Sequence, residues 1–195
     1  MIRLVIQMKM TLLEMKKQVL KLIEEINPES ELLTDDPDIA TKINLVINLI
    51  QNELSRIKKI PAMETVKVKE GDVDDISDLV DNFYQLNLIR DIKHNIYDST
   101  IEFLESGTAR IFYYKYPRQI TESTDENTYK FELSVDILGI MPYGVAGDLL
   151  MSDPASNYGQ LYLNRYERLK QQLDPRAHTG SIYIDVDGGD NNEFI

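Results

Sequence analysis

The 195-residue chain contains no cysteine and no tryptophan, and it has only two histidines, His94 and His178. Without cysteine it has no disulfide, no thiolate metal ligand and no cysteine nucleophile. Two isolated histidines are a poor basis for a catalytic triad or a zinc site. The glycine-rich phosphate loop, the dinucleotide fingerprint and the serine elbow of hydrolases are also missing. We therefore expect neither an enzyme nor a cofactor.

Basic residues are scarce, with 21 against 33 acidic residues, and the formal net charge is −12. A surface this negative repels phosphate, which argues against tight nucleic-acid binding. The opening residues MIRLVIQ hold an apolar run of only Leu4 to Ile6, too short for a membrane span, so no membrane partner is expected. The acidic end DVDGGDNNE does not fit a calcium loop, because Asp190 stands where such a loop needs glycine.

Two amphipathic helices are predicted before residue 62. Thr11-Leu12-Leu13-Glu14 matches a capping box, and apolar residues at steps of three and four follow it as far as Asn27-Pro28. Asp36-Pro37 marks a second helix start, and Ile60-Pro61 is expected to close that helix. Residues 1–10 precede the first cap and are interpreted as an arm or as residues upstream of the native start.

From Thr65 the apolar period changes from about 3.6 to 2. The pattern predicts strands in TVKVK, in YQLNL with Leu86 and Leu88 on one face, and in YKFEL. YDSTIEFLESGTARIFYYKY reads as two strands joined at Ser106-Gly107. Acidic loops separate these segments. We predict a small antiparallel β domain over residues 62–133, inserted between helices.

Two further helices are predicted. Ser134 is expected to cap a helix over residues 135–151, which Pro142 kinks or restarts. Gly144 and Gly147 would let a neighbouring helix approach closely. The last helix runs from Asp153-Pro154 to Asp174-Pro175.

The last helix carries a mixed stripe on one side. Its leucines, Leu161, Leu169 and Leu173, are expected in the core. The other predicted members are candidates for a subunit interface, since guanidinium groups suit such contacts. These candidates are Tyr158, Tyr162, Arg165 and Arg168.

The tail, residues 179–195, contains a strand-like segment from Ser181 to Val186 with no hairpin partner nearby. Such a segment can add to the sheet edge of another chain. Its candidate partner-binding residues are Ile182, Tyr183, Ile184 and Val186. The predicted fold class is thus α+β: a four-helix assembly from residues 11–61 and 134–178, the inserted β domain, and an extended tail.

The two N-terminal helices, together with MPYGVAGDLLMSDPASNYGQLYLNRYERLKQQLDPR, resemble the head-tail adaptor, or connector, proteins of long-tailed double-stranded DNA phages. The likeness covers residues 11–60 and 134–178. Its most specific part is the small-residue helix PYGVAGDLL followed by NYGQLYLNRYE. Common members are compact and helical, so the β domain departs from the family pattern.

This resemblance implies a virion protein of the neck, assembled in the host cytoplasm. Copies of it would form a ring of about twelve subunits under the portal protein. DNA would pass through the ring without sequence-specific binding, and a further neck or tail-completion protein would dock below. The tail would reach the portal or a neighbouring copy. The alternative is a cellular α+β module that recognises a peptide or protein on its β domain.

Overall fold

The computed structural model describes residues 9–24, 34, 36–151 and 157–173. Within these ranges the chain forms five helices and two antiparallel sheets, which confirms the mixed α+β class. No helix in the described part of the chain is long and apolar enough to cross a membrane.

Helix α1 (Leu12–Leu22) begins at the predicted capping box. The Thr11 N–H donates to the Glu14 carboxylate at 2.8 Å, and the Glu14 N–H donates to the Thr11 hydroxyl at 3.2 Å. Each side chain thus satisfies a backbone donor that the helix leaves open. The helix ends at Leu22, earlier than predicted, while Asn27-Pro28 lies outside the described residues.

Helix α2 (Pro37–Ile57) begins at Asp36, whose carboxylate accepts from the N–H of Asp38 at 2.8 Å. This start confirms the prediction, but the predicted end at Ile60-Pro61 is wrong. The helix stops at Ile57 because Ile60 already pairs with a strand across the first sheet. Strand pairing therefore takes over before the proline is reached.

Six strands form the two sheets in the described part of the chain. The first sheet has its strands in the order β1 (Ile60–Val68), β6 (Gly107–Lys115) and β3 (Phe83–Arg90). The second has the order β2 (Val73–Asp75), β5 (Thr100–Phe103) and β4 (His94–Tyr97), and a short helix α3 (Ile76–Leu79) follows β2.

The segment predicted as two strands joined at Ser106-Gly107 divides between the two sheets. β5 pairs with β2 and β4, whereas β6 pairs with β1 and β3. The two strands are consecutive in sequence without being hairpin partners. The alternating pattern identified both strands but carried no information on their pairing.

The prediction that Leu86 and Leu88 lie on one face of β3 is wrong. Its register against β6 shifts between Leu86 and Leu88, as expected for a β-bulge. An extra residue reverses the alternation beyond it, so that Leu88 is 40% exposed while Ile89 is buried.

No strand forms at YKFEL, where Lys130 makes only an isolated bridge with Thr11. The alternation nevertheless reports burial correctly, because Tyr129, Phe131 and Leu133 are all buried. They pack in the core of the helices rather than against the sheets. The Leu12 N–H donates to the Tyr129 carbonyl at 3.1 Å, so the start of α1 takes the place of a neighbouring strand.

Polar side chains of α2 hold the segment that enters this core. The Asn48 amide donates to the Ile120 carbonyl at 2.8 Å and accepts from the Ile120 N–H at 2.9 Å. The fully buried Gln51 donates to the Arg118 carbonyl at 3.2 Å, and the Tyr129 hydroxyl donates to the same carbonyl at 2.6 Å. These bonds satisfy backbone groups that no strand pairs.

The described residues contain two separate hydrophobic cores. One lies among the helices and takes in residues 120–133. The other lies in the β part and includes Ile101, Phe103 and Ile111, all fully buried.

Helix α4 (Val135–Leu150) is buried on nearly every side and contacts α1, α2 and the last helix, α5 (Tyr158–Leu173). Ser134 occupies the N-cap position, but its side chain makes no capping hydrogen bond. The helix continues through Pro142, so the predicted fresh start there is wrong. Asp153-Pro154 and Asp174-Pro175, the predicted ends of the last helix, lie outside the described residues.

Two glycines bring α4 and α5 together, as predicted. A methyl group on Gly147 would lie 2.7 Å from Leu163 Cγ and 3.0 Å from the Leu163 backbone nitrogen. One on Gly144 would lie 3.0 Å from the Tyr166 ring. The contact therefore depends on the absence of both side chains.

The first prediction compares Gly147→Ala with Gly139→Ala. Alanine is the better helix former by about 1 kcal/mol, and nothing lies within 4 Å of a methyl at Gly139. Gly139→Ala should therefore be neutral or stabilising. Gly147→Ala should instead destabilise the protein by about 1–2 kcal/mol, because the backbone of α5 has to move. Urea unfolding of the two variants measures this, and equal effects would contradict the close contact.

Candidate subunit interface

Helix α5 lies against α4 with two side chains anchored on the inner side. The Tyr162 hydroxyl donates to the Leu22 carbonyl at the end of α1, at 2.6 Å. The Tyr166 hydroxyl donates to the Glu53 carboxylate on α2 at 2.8 Å. These bonds connect α5 to both N-terminal helices and fix its rotation about its own axis.

A second side of α5, next to the inner one, is exposed. Tyr158 is 65% exposed and Leu161 is 59% exposed, and Arg165 and Arg168 are exposed as well. These four residues follow one another at steps of three and four, so they share one side of the helix. We call them the outer face of α5.

Three of the four predicted interface residues therefore lie on the outer face, while Tyr162 lies on the inner side. The expectation that Leu161 belongs to the core is wrong. Leu169 and Leu173 are half-buried against the helical core. Tyrosine and leucine occur on both sides of this helix, so composition alone did not fix its orientation.

The guanidinium group of Arg165 is held in place by an aromatic ring. It lies 4.2 Å from the centroid of the Tyr143 ring, a cation–π distance. Neither Arg165 nor Arg168 forms an ion pair with any residue that the structure describes. A stacked guanidinium keeps its edge N–H groups free to donate to a carboxylate. The outer face thus offers two cations beside exposed apolar surface.

Tyr166 is the buried residue that the sequence analysis missed. It is 2% exposed, and Glu53 accepts hydrogen bonds from both its hydroxyl and Lys170, the latter at 2.6 Å. Burial, together with the Glu53 carboxylate, raises the pKa of the Tyr166 phenol well above its usual value, so it stays a donor. A stripe through residues 159, 162, 166, 169 and 173 would have identified it.

The remaining candidates lie elsewhere. The tail residues Ile182, Tyr183, Ile184 and Val186 are outside the described residues, as is His178. The His94 ring nitrogen Nδ1 lies 3.0 Å from the Ile92 carbonyl. Over the described ranges, no cluster of three or more metal-ligating side chains occurs.

The chain matches no protein-family model, and no curated protein is significantly similar to it in sequence. A proposal about its function therefore depends on its own residues, above all on the outer face of α5.

The second prediction concerns the anchor of α5. Tyr166→Phe removes the hydroxyl and leaves a partly buried Glu53 oxygen with one partner fewer, which should cost about 1–2 kcal/mol of folding stability. Tyr97→Phe is the control, because Tyr97 is 61% exposed and should tolerate the same change. Urea unfolding compares the two. Equal stabilities would show that the Tyr166–Glu53 bond does not anchor the helix.

Proposed function

We propose that this protein is a structural component of a phage virion, a connector that forms a ring beneath the portal and extends the DNA conduit. The observation that carries the proposal is the outer face of α5. It combines exposed apolar surface with two arginines that have no ion-pair partner in the described part of the chain. A rigid helix presenting such a surface suits a contact between protein subunits.

A ring needs a second, different surface on each subunit, because head-to-tail contacts join unlike patches. The acidic loop around β2 offers one, since it carries Asp72, Asp74 and Asp78 beside Val73, which is 61% exposed. Its carboxylates would accept bidentate hydrogen bonds from Arg165 and Arg168 of the next subunit. Val73 would pack on Leu161.

The net charge supports a conduit for DNA. Attractive contacts with phosphate would retard a moving duplex, whereas a wall with an excess of carboxylates repels it. With 33 acidic and 21 basic residues the chain can supply such a wall. The same charge argues against a role that requires sequence-specific DNA binding.

We also propose that the four long helices form the adaptor domain and that the sheets form a β domain inserted into it. The separation into two hydrophobic cores supports this division. Residues 120–133 contribute to the helical core, so the proposed β domain is narrower than residues 62–133 and ends near Tyr116.

The alternative, a module that binds a peptide or protein on its β domain, draws on the exposed strand β4. Ile96 is 44% exposed and Tyr97 is 61% exposed at this edge of the second sheet. An extended peptide could pair there. Such a module needs no ring, and the outer face of α5 would have no role in it.

The third prediction tests the ring contact by charge reversal. Arg165→Glu with Arg168→Glu should weaken ring assembly on the portal about tenfold or more, because two attractive contacts become repulsive. The thermal unfolding of the free protein should change little, since both side chains are exposed. Lys17→Glu with Lys130→Glu reverses the same number of charges at exposed residues outside α5 and the acidic loop, and should leave assembly intact. Electron microscopy of portal mixed with each variant provides the measurement. Unchanged rings for the arginine variant would count against the proposed interface.

The fourth prediction concerns the tail. We propose that Ile182, Tyr183, Ile184 and Val186 pair with the portal, or as a second choice with a neighbouring copy, by adding a strand. Deleting residues 180–195 should then weaken docking to the portal, as measured by co-sedimentation. Replacing only residues 188–195 with a glycine-serine stretch is the control and should retain docking. Full docking by the deletion variant would rule out this role.

A further inference from the structure

A cleft of about 520 Å³ opens where the helices meet the first sheet. It is bounded by the end of α2, the start of β1 and the N-terminus of α4. Its charged residues are mainly lysines, and its apolar lining includes Ile60, Pro61 and Val135. The lysines are Lys9, Lys58, Lys59 and Lys115.

The four lysines are only partly neutralised. Lys115 donates to Glu132, the one acidic residue of the lining, at 2.7 Å, and Lys58 pairs with Asp136. Lys59 donates to the neutral Gln85 amide oxygen at 2.6 Å. Lys9 has neither an ion pair nor a hydrogen bond with the described residues. Two positive charges therefore lack a carboxylate partner in a chain whose net charge is −12.

The apolar lining favours a peptide over a small anion as the ligand of this cleft. Val135 is 60% exposed at the cleft, and Ile60 and Pro61 begin an edge strand. An extended segment could place apolar side chains on this surface and its carboxylates near Lys9 and Lys59. An edge strand also offers unpaired backbone groups to such a segment.

The last described helix ends level with the part of α4 that lines this cleft. Gly147 faces Leu163 and Gly144 faces Tyr166, so α5 runs antiparallel to α4. Leu173 lies seven positions after Tyr166, and Ile137 lies seven positions before Gly144, which brings Leu173 level with Ile137. Ile137 is close to Ser134 and Val135, which line the cleft.

We propose that the cleft is a docking site for the chain's own segment Ser181–Val186, together with the acidic residues that follow it. Residues 179–195 contain four acidic residues and no basic one, and Ile182, Ile184 and Val186 supply apolar side chains. The seven residues 174–180 can span about 24 Å when extended, enough to reach the cleft from Leu173. A short tether gives the segment a local concentration in the millimolar range, so even weak binding fills the site.

The docked segment would occupy the cleft in the free protein. During assembly it would leave the cleft and bind the portal instead. This transfer of the segment to the portal rests on the proposed function, whereas docking in the cleft requires neither a ring nor a portal.

The absence of cysteine from the chain allows a direct test in the full-length protein. Val135→Cys with Ile184→Cys places one thiol at the cleft and one on the segment. An intrachain disulfide should form about tenfold faster or more than in the control pair Leu104→Cys with Ile184→Cys, because docking raises the local thiol concentration. Leu104 is 43% exposed and lies at the end of β5, away from the cleft lining. Mass spectrometry of the oxidised monomer measures both rates.

Charge-reversal variants then test the lysines. Adding Lys9→Glu with Lys59→Glu should bring the rate down to that of the control pair, whereas adding Lys67→Glu with Lys69→Glu should not. Adding Arg165→Glu with Arg168→Glu should leave the disulfide rate unchanged, which separates this test from that of the ring contact. The proposal would be overturned if the disulfide formed mainly between chains or formed no faster than in the control pair. It would also be overturned if the Lys9 and Lys59 reversals left the rate of disulfide formation unchanged.

Discussion

The close contact between α4 and α5 is the constraint on which the proposed interface depends. Helix α4 is buried among α1, α2 and α5, and only glycine at residues 144 and 147 lets α5 approach it. The rotation of α5 is then fixed by hydrogen bonds from Tyr162 and Tyr166. With Tyr162 and Tyr166 held on the inner side, Arg165 and Arg168 lie on the exposed outer face, where Arg165 also stacks on the Tyr143 ring of α4. Packing and the candidate interface are thus consequences of the same contact.

Local chemistry allowed the helix starts to be predicted from the sequence. A capping box at Thr11 and a capping carboxylate at Asp36 act within one helical turn, so no distant residue is needed to recognise them. The pairing of the strands was harder to predict, because paired strands are far apart in sequence. Alternation predicted β5 and β6 but not their separation into two sheets, and the bulge in β3 reversed the expected faces beyond Leu86.

Only part of the candidate site could be predicted, because the rest also depends on residues that are distant in sequence. Tyrosine and leucine recur around α5, so the sequence is compatible with either of two sides of the helix facing the core. Burial of Tyr166 depends on Glu53 and on the space above Gly144, which lie on other helices. The lysine cleft was not predicted at all, since its residues come from four distant stretches of the chain.

Cryo-electron microscopy of the virus particle that contains this protein tests the central claim most directly. The account predicts a ring of copies under the portal, with the outer face of α5 at each contact between subunits and the acidic loop around β2 opposite it. A particle neck without this chain would contradict the account. So would a ring in which Arg165 and Arg168 face solvent.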